Sequence, residues 1–276
     1  MRKDFILQLF IDVTKSEILH VGYWDDSDIV KFENLKNAQW KYVNHVIEKI
    51  PVSTKTILDV GCGTGIVANK LADMGYTVDC VNPDLLQKEI FENKYGNKLK
   101  LYCCKFEDLD IDKKYDLILM MESLEYIDLV MALKQSMKYL NKNGILIVSD
   151  FFRTTEDREY HSFHILNNFI DTLKKFNFKI KLEEDITTRI LPTLDVASEI
   201  YDNYALPVTK TIIESIASSA SKRILSNILL KVFLFMFSKK INKMRYNLFE
   251  RIPKLLDKQN FLKKVVYRIY LLTNEA

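Results

Sequence analysis

The sequence predicts an α/β fold built on a doubly wound parallel sheet, and three observations lead to this prediction. Short apolar runs alternate with segments of helical periodicity along residues 56–149, which is the pattern of strands that alternate with helices. Apolar residues make up 48% of the 276-residue chain, enough for a sizeable core. Three of only seven glycines stand within five positions, directly after the first predicted strand. We therefore expect a ligand at the carboxyl ends of the strands.

Each element follows from its own stretch of sequence. Apolar runs predict strands at residues 56–60, 76–81, 98–103, 115–120 and 144–149. Helical spacing of apolar residues predicts helices at residues 35–50, 66–74, 84–95 and 129–140, which Pro or Gly residues end. Beyond residue 150, the pattern predicts a helix at 164–176, an extended segment at 178–186 and a last strand at 265–272.

Charge and cysteine content narrow the class of protein. The net charge is only +3, yet residues 222–268 carry 13 Lys and Arg against Glu250 and Asp257. No apolar run reaches the roughly 18 to 20 residues that a membrane-spanning helix needs. The four cysteines lack the spacing of a zinc site, which predicts reduced thiols and a cytoplasmic protein.

The first predicted strand runs directly into Asp59-Val60-Gly61-Cys62-Gly63-Thr64-Gly65. Glycines let the backbone turn tightly and approach a ligand closely, and the helix that follows presents its N-terminal amides to the site. The spacing D-x-G-x-G-x-G differs from the G-x-G-x-x-G of dinucleotide enzymes and from the Walker loop. A plain glycine-rich turn from strand to helix is the alternative.

This run resembles motif I of class I S-adenosylmethionine-dependent methyltransferases. The resemblance implies a Rossmann-like sheet of seven mostly parallel strands, with S-adenosylmethionine as cofactor and S-adenosylhomocysteine as product. It also implies a long helical insertion before the last strand. His20-Val21-Gly22-Tyr23-Trp24 is similar to an N-terminal stretch of the small-molecule methyltransferases related to sterol and tocopherol enzymes.

The same resemblance implies a set of cofactor-binding residues. They are Tyr23, Trp24, Gln39, Asp59, Gly61, Cys62, Gly63, Gly65, Asn82, Pro83, Phe106, Glu107, Met121 and Glu122. Asn82 stands where most of the family has Asp or Glu for the ribose, and Lys105 and Tyr126 also depart from the family pattern. Asn82-Pro83 could instead be a turn, Met121 a core residue, and Tyr23 and Trp24 anchors of an N-terminal arm.

Histidine is the side chain best suited to accept a proton from a hydroxyl acceptor near neutral pH. Of the four histidines, His164 is our first candidate for a catalytic base, because related enzymes place a histidine near the acceptor there. His20 is the second candidate. His45 lies between apolar neighbours in a predicted helix and is interpreted as structural. The sequence shows no metal-ligand spacing, so we expect no metal.

The predicted elements divide the chain into four parts. Residues 1–50 form an N-terminal helical cap, 51–190 the cofactor-binding core, 191–262 a helical insertion that serves as a substrate lid, and 263–276 the final strand. Within the insertion, an apolar segment at 224–237 precedes Lys239, Lys240, Lys243 and Arg245. Such a segment could accept a hydrophobic chain, rest on an anionic membrane surface or dock an acidic carrier protein. A buried helix with a solvated end is the alternative.

Together these features predict methyl transfer from S-adenosylmethionine to oxygen or carbon of a small, hydrophobic acceptor, which could be lipid-like or carrier-tethered. The protein would be cytoplasmic, and peripheral to a membrane if the insertion binds one. Nucleic acid is not an expected partner, since the basic residues are interleaved with aliphatic ones. Two alternatives remain: a non-catalytic module that binds an acidic partner, and an RNA or protein methyltransferase.

Overall fold

The fold is built around one β-sheet. A computed structural model describes residues 16–156, 159–208, 211 and 250–274. The strands are β1 (Thr56–Val60), β2 (Thr77–Val81), β3 (Lys100–Tyr102), β4 (Tyr115–Met121), β5 (Leu140–Arg153), β6 (His164–Ile165), β7 (Phe178–Asp185) and β8 (Val265–Asn274). All seven predicted strands are present, with ends that differ by a few residues.

The strands lie in the order β3-β2-β1-β4-β5-β8-β7, and β6 pairs with β5 beside this path. The pairs among β1 to β5 are parallel, whereas β8 runs antiparallel to both β5 and β7. The predicted mostly parallel, seven-stranded sheet is therefore confirmed. The short strand β6 was not predicted. It pairs with the end of β5, so the helix predicted at 164–176 begins two residues later.

Nine α-helices with defined bounds lie in these same ranges of the chain. They are α1 (Leu35–Ile47), α2 (Ile66–Asp73), α3 (Leu85–Tyr95), α4 (Leu129–Tyr139), α5 (Leu166–Lys175), α6 (Thr187–Ile190), α7 (Pro192–Ile200), α8 (Ile252–Leu256) and α9 (Lys258–Lys264). Acidic N-cap residues explain where two of these helices begin. The carboxylate of Asp84 accepts from the first amides of α3, and Asp128 does the same for α4, as acidic N-caps do.

Helices cover both faces of the sheet, and the strands are apolar on both sides as a result. On β1, Ile57 packs with buried residues of α1 and α2, whereas Leu58 packs with those of α4 and α5. Both side chains are fully buried. Neighbouring β4 repeats the alternation with Leu117 and Ile118. In such sheets, ligands bind in the loops at the carboxyl ends of the parallel strands.

The predicted helical segment before the last strand is confirmed where it is described, because α7 lies near its start and α8 and α9 lead directly into β8. Residues 212–249, which include the apolar segment at 224–237 and the four basic residues after it, lie outside the described residues. Within the described ranges, no helix combines the length and apolar character needed to cross a membrane.

Candidate functional site

A cleft of about 500 Å³ opens at the carboxyl ends of β1, β2 and β4. It is lined by residues 17–20, 60–64, 66–67, 81–84, 87, 105–107, 121–123 and 125–127. Ten of the sixteen residues predicted for the site line it: His20, Gly61, Cys62, Gly63, Asn82, Pro83, Phe106, Glu107, Met121 and Glu122. The six that do not are Tyr23, Trp24, Gln39, Asp59, Gly65 and His164.

The glycine loop forms the floor of the cleft, and its three glycines serve two purposes. All three have positive φ, at +78° for Gly61, +58° for Gly63 and +87° for Gly65, where other residues are strained. A Cβ on Gly61 would lie 2.4 Å from Ser123, and one on Gly65 would lie 2.4 Å from Phe91. By contrast, the nearest atom to a Cβ on Gly63 is 3.9 Å away, on Leu19. Gly63 therefore leaves the cleft open, while the other two permit close packing.

Asp59 lies on β1 just before the loop and is 4% exposed. Its Oδ2 atom has no hydrogen-bond partner among the described residues. Burial raises the pKa of this carboxyl group to about 7, against a lowering effect of nearby His20. Although Asp59 does not line the cleft, it places an unpaired carboxyl oxygen beside the loop.

The end of β2 carries Asn82, whose side chain is turned toward the loop. Its amide donates to the carbonyl oxygen of Gly63 at 3.1 Å and to Oε1 of Gln87 at 2.7 Å. Gln87 and Asp84 also line the cleft, and neither was predicted. Their place beside Asn82 could have been inferred from the helix predicted at 84–95, because residues three apart in the first turn of a helix share a face. This wall therefore offers two amides and a carboxylate.

Phe106 and Glu107 form the wall after β3. Both stand in a short 3-10 turn at Phe106–Asp108, and Phe106 is buried. The turn is held from behind by Gln135 of α4, whose amide donates to the carbonyl oxygens of Phe106 at 3.1 Å and Glu107 at 2.7 Å. Gln135 was also missed, since nothing in a helical repeat marks a side chain that binds a distant turn.

Glu122 follows β4, lines the cleft and has an unusual backbone conformation. Its φ is +50°, which is uncommon for a residue other than glycine. Oε1 accepts a hydrogen bond from the amide of Val21 at 3.0 Å and from the hydroxyl of Tyr267 at 3.0 Å. Oε2 lies 3.9 Å from Nδ1 of His20. Glu122 thus joins the β4 loop, the N-terminal segment and the last strand.

The N-terminal segment covers the cleft but not with the residues predicted to do so. Trp24 is 2% exposed, and its indole donates to Oγ1 of Thr193 at 3.0 Å. Tyr23 packs against His45 in a tilted arrangement at a centroid distance of 4.6 Å. Gln39 donates from α1 to the carbonyl oxygens of Ile18 and His20. These three residues hold the segment in place, and residues 17–20 line the cleft instead.

His164 does not face the cleft. Its Nε2 atom lies 2.9 Å from the carbonyl oxygen of Leu124 and 3.0 Å from that of Ile127. A carbonyl oxygen only accepts hydrogen bonds, so this nitrogen carries a proton and cannot take one from an acceptor. The geometry argues against the predicted role as base and gives His164 a place behind the loop at 124–127. His20 is the histidine that reaches the cleft.

Carboxylates outnumber cations on the described lining. Asp84, Glu107, Glu122 and Glu125 stand there against Lys105, while Glu17 pairs with Lys94 outside the lining. Burial raises the pKa of Glu125, and the charge of Glu122 adds to the effect. The resulting field favours a ligand with positive charge. The described residues contain no group of His, Cys, Asp and Glu that could hold a metal ion.

Comparison with known proteins identifies the family. Residues 35–178 match the model of a methyltransferase domain. A ubiquinone biosynthesis O-methyltransferase from Rickettsia prowazekii is 28% identical over 152 residues, which cover 52% of this chain and 60% of the relative. The chain thus spans about three fifths of the length of such curated relatives.

Solved structures share the fold. The cyclase SpnF is 17% identical with a TM-score of 0.70, covering 98% of this chain and 93% of its own. A geranyl diphosphate C-methyltransferase from Streptomyces coelicolor A3(2) is 13% identical with a TM-score of 0.67, covering 97% and 91%. The family model spans the glycine loop, the cleft lining apart from residues 17–20, and strands β1 to β6. The chain belongs to the methyltransferase domain family.

Proposed function

We propose that the protein transfers a methyl group from S-adenosylmethionine to a hydroxyl oxygen of a small, hydrophobic acceptor. The observation that carries this proposal is the open floor at Gly63, where a left-handed glycine presents backbone to a cleft at the strand ends. Family membership supports the reaction, and relatives named O-methyltransferases favour oxygen over carbon. These relatives also favour a small-molecule methyltransferase over a non-catalytic binding module and over an RNA or protein methyltransferase.

The residues present fit S-adenosylmethionine. The volume of about 500 Å³ lies in the usual range of small-molecule pockets. The unpaired oxygen of Asp59 and the excess of carboxylates suit a ligand with amino and sulfonium charges. Gln87 offers amide hydrogens and Asn82 its amide oxygen to ribose hydroxyls, whereas Phe106 and Glu107 offer an apolar face and an acceptor to adenine.

When bound, the donor supplies a methyl group on a sulfonium, which is transferred by in-line displacement. The chain's own contribution is to hold two molecules at reacting distance and to exclude water. His20 is placed to accept the proton of an acceptor hydroxyl, because it lines the cleft and Glu122 lies 3.9 Å from its Nδ1 atom. We propose His20 as the base in place of His164.

The proposal also gives a role to the helical insertion predicted before the last strand. We propose that the segment at 191–262 is a substrate lid, which agrees with helices on both sides of residues 212–249. Its basic residues would place the protein at an anionic membrane surface or against an acidic carrier protein. Co-sedimentation with vesicles that contain phosphatidylglycerol tests the first arrangement: binding that disappears at high salt supports it, and equal binding to neutral vesicles contradicts it.

A methyl-transfer assay tests the proposed reaction. The protein is incubated with methyl-labelled S-adenosylmethionine and a series of 4-alkylcatechols, with the matched alkylbenzenes as controls that lack a hydroxyl group. We expect label in the product only where a hydroxyl group is present, and a rate that increases with alkyl chain length. Binding of S-adenosylhomocysteine without transfer to any hydroxyl, carbon or amine acceptor would contradict the enzymatic part of the proposal.

A further inference from the structure

Tyr267 lies on the last strand, far in sequence from the glycine loop, yet its hydroxyl reaches the site. The side chain is fully buried. The hydroxyl lies 3.0 Å from Oε1 of Glu122 and 2.6 Å from the hydroxyl of Tyr42. Tyr42 in turn is hydrogen bonded to Oγ of Ser149 at 2.8 Å. A buried chain of hydroxyl groups from α1, β5 and β8 therefore ends on one carboxylate oxygen of the cleft.

The direction of these hydrogen bonds follows from the chemistry of the groups. Oε1 of Glu122 accepts from the amide of Val21, so it is an acceptor and Tyr267 is its second donor. The one hydroxyl hydrogen of Tyr267 is then used at Glu122. Tyr42 donates its own hydroxyl hydrogen to Oγ of Ser149, and its oxygen lies 2.6 Å from the hydroxyl of Tyr267. Burial, followed by the charge of Glu122, raises the pKa of Tyr42 and Tyr267 well above the ordinary value. Both residues therefore keep their protons.

The partner of Tyr267 is a residue under strain. The positive φ of Glu122 persists only where surrounding contacts determine it. One such contact is its amide, which donates to the carbonyl oxygen of Ser149 at 2.8 Å. With Oε1 occupied by two donors, Oε2 is left facing His20, whose Nδ1 has no hydrogen-bond partner among the described residues. The carboxylate is thus fixed in one orientation, toward the histidine.

We propose that Tyr267 is a positioning residue of the site: through Glu122 it fixes the segment that carries His20 against the cleft. The packing of Tyr267 does not need its hydroxyl, because the ring packs edge-on against Phe151 at a centroid distance of 4.5 Å, as a phenylalanine would. What the hydroxyl adds is a donor to Glu122 and a contact with the hydroxyl of Tyr42. The inference rests on the proposed function only for the use of His20 in proton transfer.

The test compares Tyr267→Phe with a matched variant of the same strand, Tyr270→Phe. Tyr270 is also fully buried, and its hydroxyl donates to a glutamate, Glu183, at 3.0 Å. Unlike Glu122, Glu183 does not line the cleft. The rate of amide hydrogen exchange at Val21 measures directly how firmly the Glu122 carboxylate is held, because that amide donates to Oε1. We expect about three- to tenfold faster exchange in Tyr267→Phe, the effect of loosening one hydrogen bond, and wild-type exchange in Tyr270→Phe.

Two further measurements separate positioning from a general loss of structure. In Tyr267→Phe, exchange of the β1 and β4 amides stays within about twofold of wild type, because the sheet itself is unchanged. With a 4-alkylcatechol that the wild type methylates, kcat falls about fivefold or more in Tyr267→Phe and not in Tyr270→Phe. Unchanged Val21 exchange in Tyr267→Phe, or an equal rise in Tyr270→Phe, would overturn the inference. Failure of the wild type to bind S-adenosylhomocysteine would overturn the proposed function and leave the exchange comparison decisive for Tyr267.

Discussion

Asp59 illustrates how burial sets the charge of a single side chain next to the cleft. Its carboxyl group is 4% exposed and its Oδ2 atom lacks a partner in the described part of the chain. Removing a carboxylate from water without a hydrogen bond disfavours the charged form, and the pKa of Asp59 is accordingly raised to about 7. The residue keeps an electrostatic cost in the free protein that a cationic ligand group can relieve.

The cost of Asp59 predicts a pH-dependent stability. Because the folded-state pKa of about 7 exceeds the unfolded value, the folded protein binds more protons between roughly pH 4 and pH 7, and stability falls as pH rises through this window. Asp59→Asn should raise the free energy of unfolding at pH 8 by about 2 kcal/mol and change it little at pH 4. Urea denaturation at both pH values measures this.

A second aspartate provides the control of opposite sign. The pKa of Asp116 is lowered, because hydrogen bonds from Asn141, Thr56 and Lys55 outweigh the opposing effect of burial. Asp116→Asn should therefore lower the free energy of unfolding at pH 8. If Asp59→Asn is also less stable than wild type at pH 8, the carboxylate of Asp59 is paired in solution and the account of its burial is wrong.

At the scale of elements, the loop after β4 depends on a histidine from another part of the sheet. Strand β6 pairs with the end of β5 and thereby brings His164 behind residues 124–127. Three residues of that loop line the cleft, Glu125, Tyr126 and Ile127. The loop is thus held by two hydrogen-bonding side chains. His164 of β6 binds its carbonyl oxygens, and the carboxylate of Asp150 accepts from the amide of Leu124 at 2.9 Å.

This arrangement predicts that His164 acts through hydrogen bonding. His164→Ala removes a donor from the carbonyl oxygens of Leu124 and Ile127, of which only that of Leu124 keeps another one among the described residues, the amide of Ile127. It should lower the free energy of unfolding by about 1–3 kcal/mol. His164→Gln carries an amide with two donor hydrogens and should recover at least half of that stability and most of the methyl-transfer rate. A base would respond differently, since glutamine cannot take up a proton: a glutamine variant as inactive as the alanine variant would restore the original assignment.

The elements also show how far the sequence could be read. Strands β1 to β5 were predicted because parallel strands covered on both faces are continuous apolar runs, and the loop because its glycines need positive φ. Trp24 and His164 were misplaced for a shared reason. Their partners, Thr193 and the Leu124 carbonyl, lie 169 and 40 residues away, and no local pattern encodes such a pairing. Tyr267 was missed because an alternating strand shows which face is buried but not which hydroxyl reaches a site.

At the scale of the whole molecule, the cleft is closed by segments from both ends of the described chain. Thr193, at the start of α7, accepts hydrogen bonds from the amide of Gly22 and from the indole of Trp24, each at 3.0 Å. Glu122 receives Val21 from the N-terminal segment and Tyr267 from the last strand. The covering segment and the helices of the insertion therefore form one connected structure above the sheet.

This connection predicts that a change in the insertion weakens binding in the cleft. Thr193→Val keeps the shape but leaves the Gly22 and Trp24 donors without their acceptor, which should cost about 1–3 kcal/mol. The Kd of S-adenosylhomocysteine should rise about three- to tenfold, because residues 17–20 line the cleft. Thr172→Val is the control, since its hydroxyl only bonds back to Asn168 within α5. Equal Kd values for both variants would show that the cover and the cleft are independent.

The most direct measurement is a calorimetric titration of S-adenosylhomocysteine into wild type, Gly63→Val and Gly75→Val. Both glycines have positive φ, +58° and +98°, so both variants bear backbone strain, but only Gly63 lines the cleft. Wild type and Gly75→Val should bind with similar affinity, and Gly63→Val should bind at least about 100-fold more weakly, which is about 2.7 kcal/mol. Absence of binding to wild type, or equal affinity in both variants, would contradict the assignment of the glycine loop as the cofactor site.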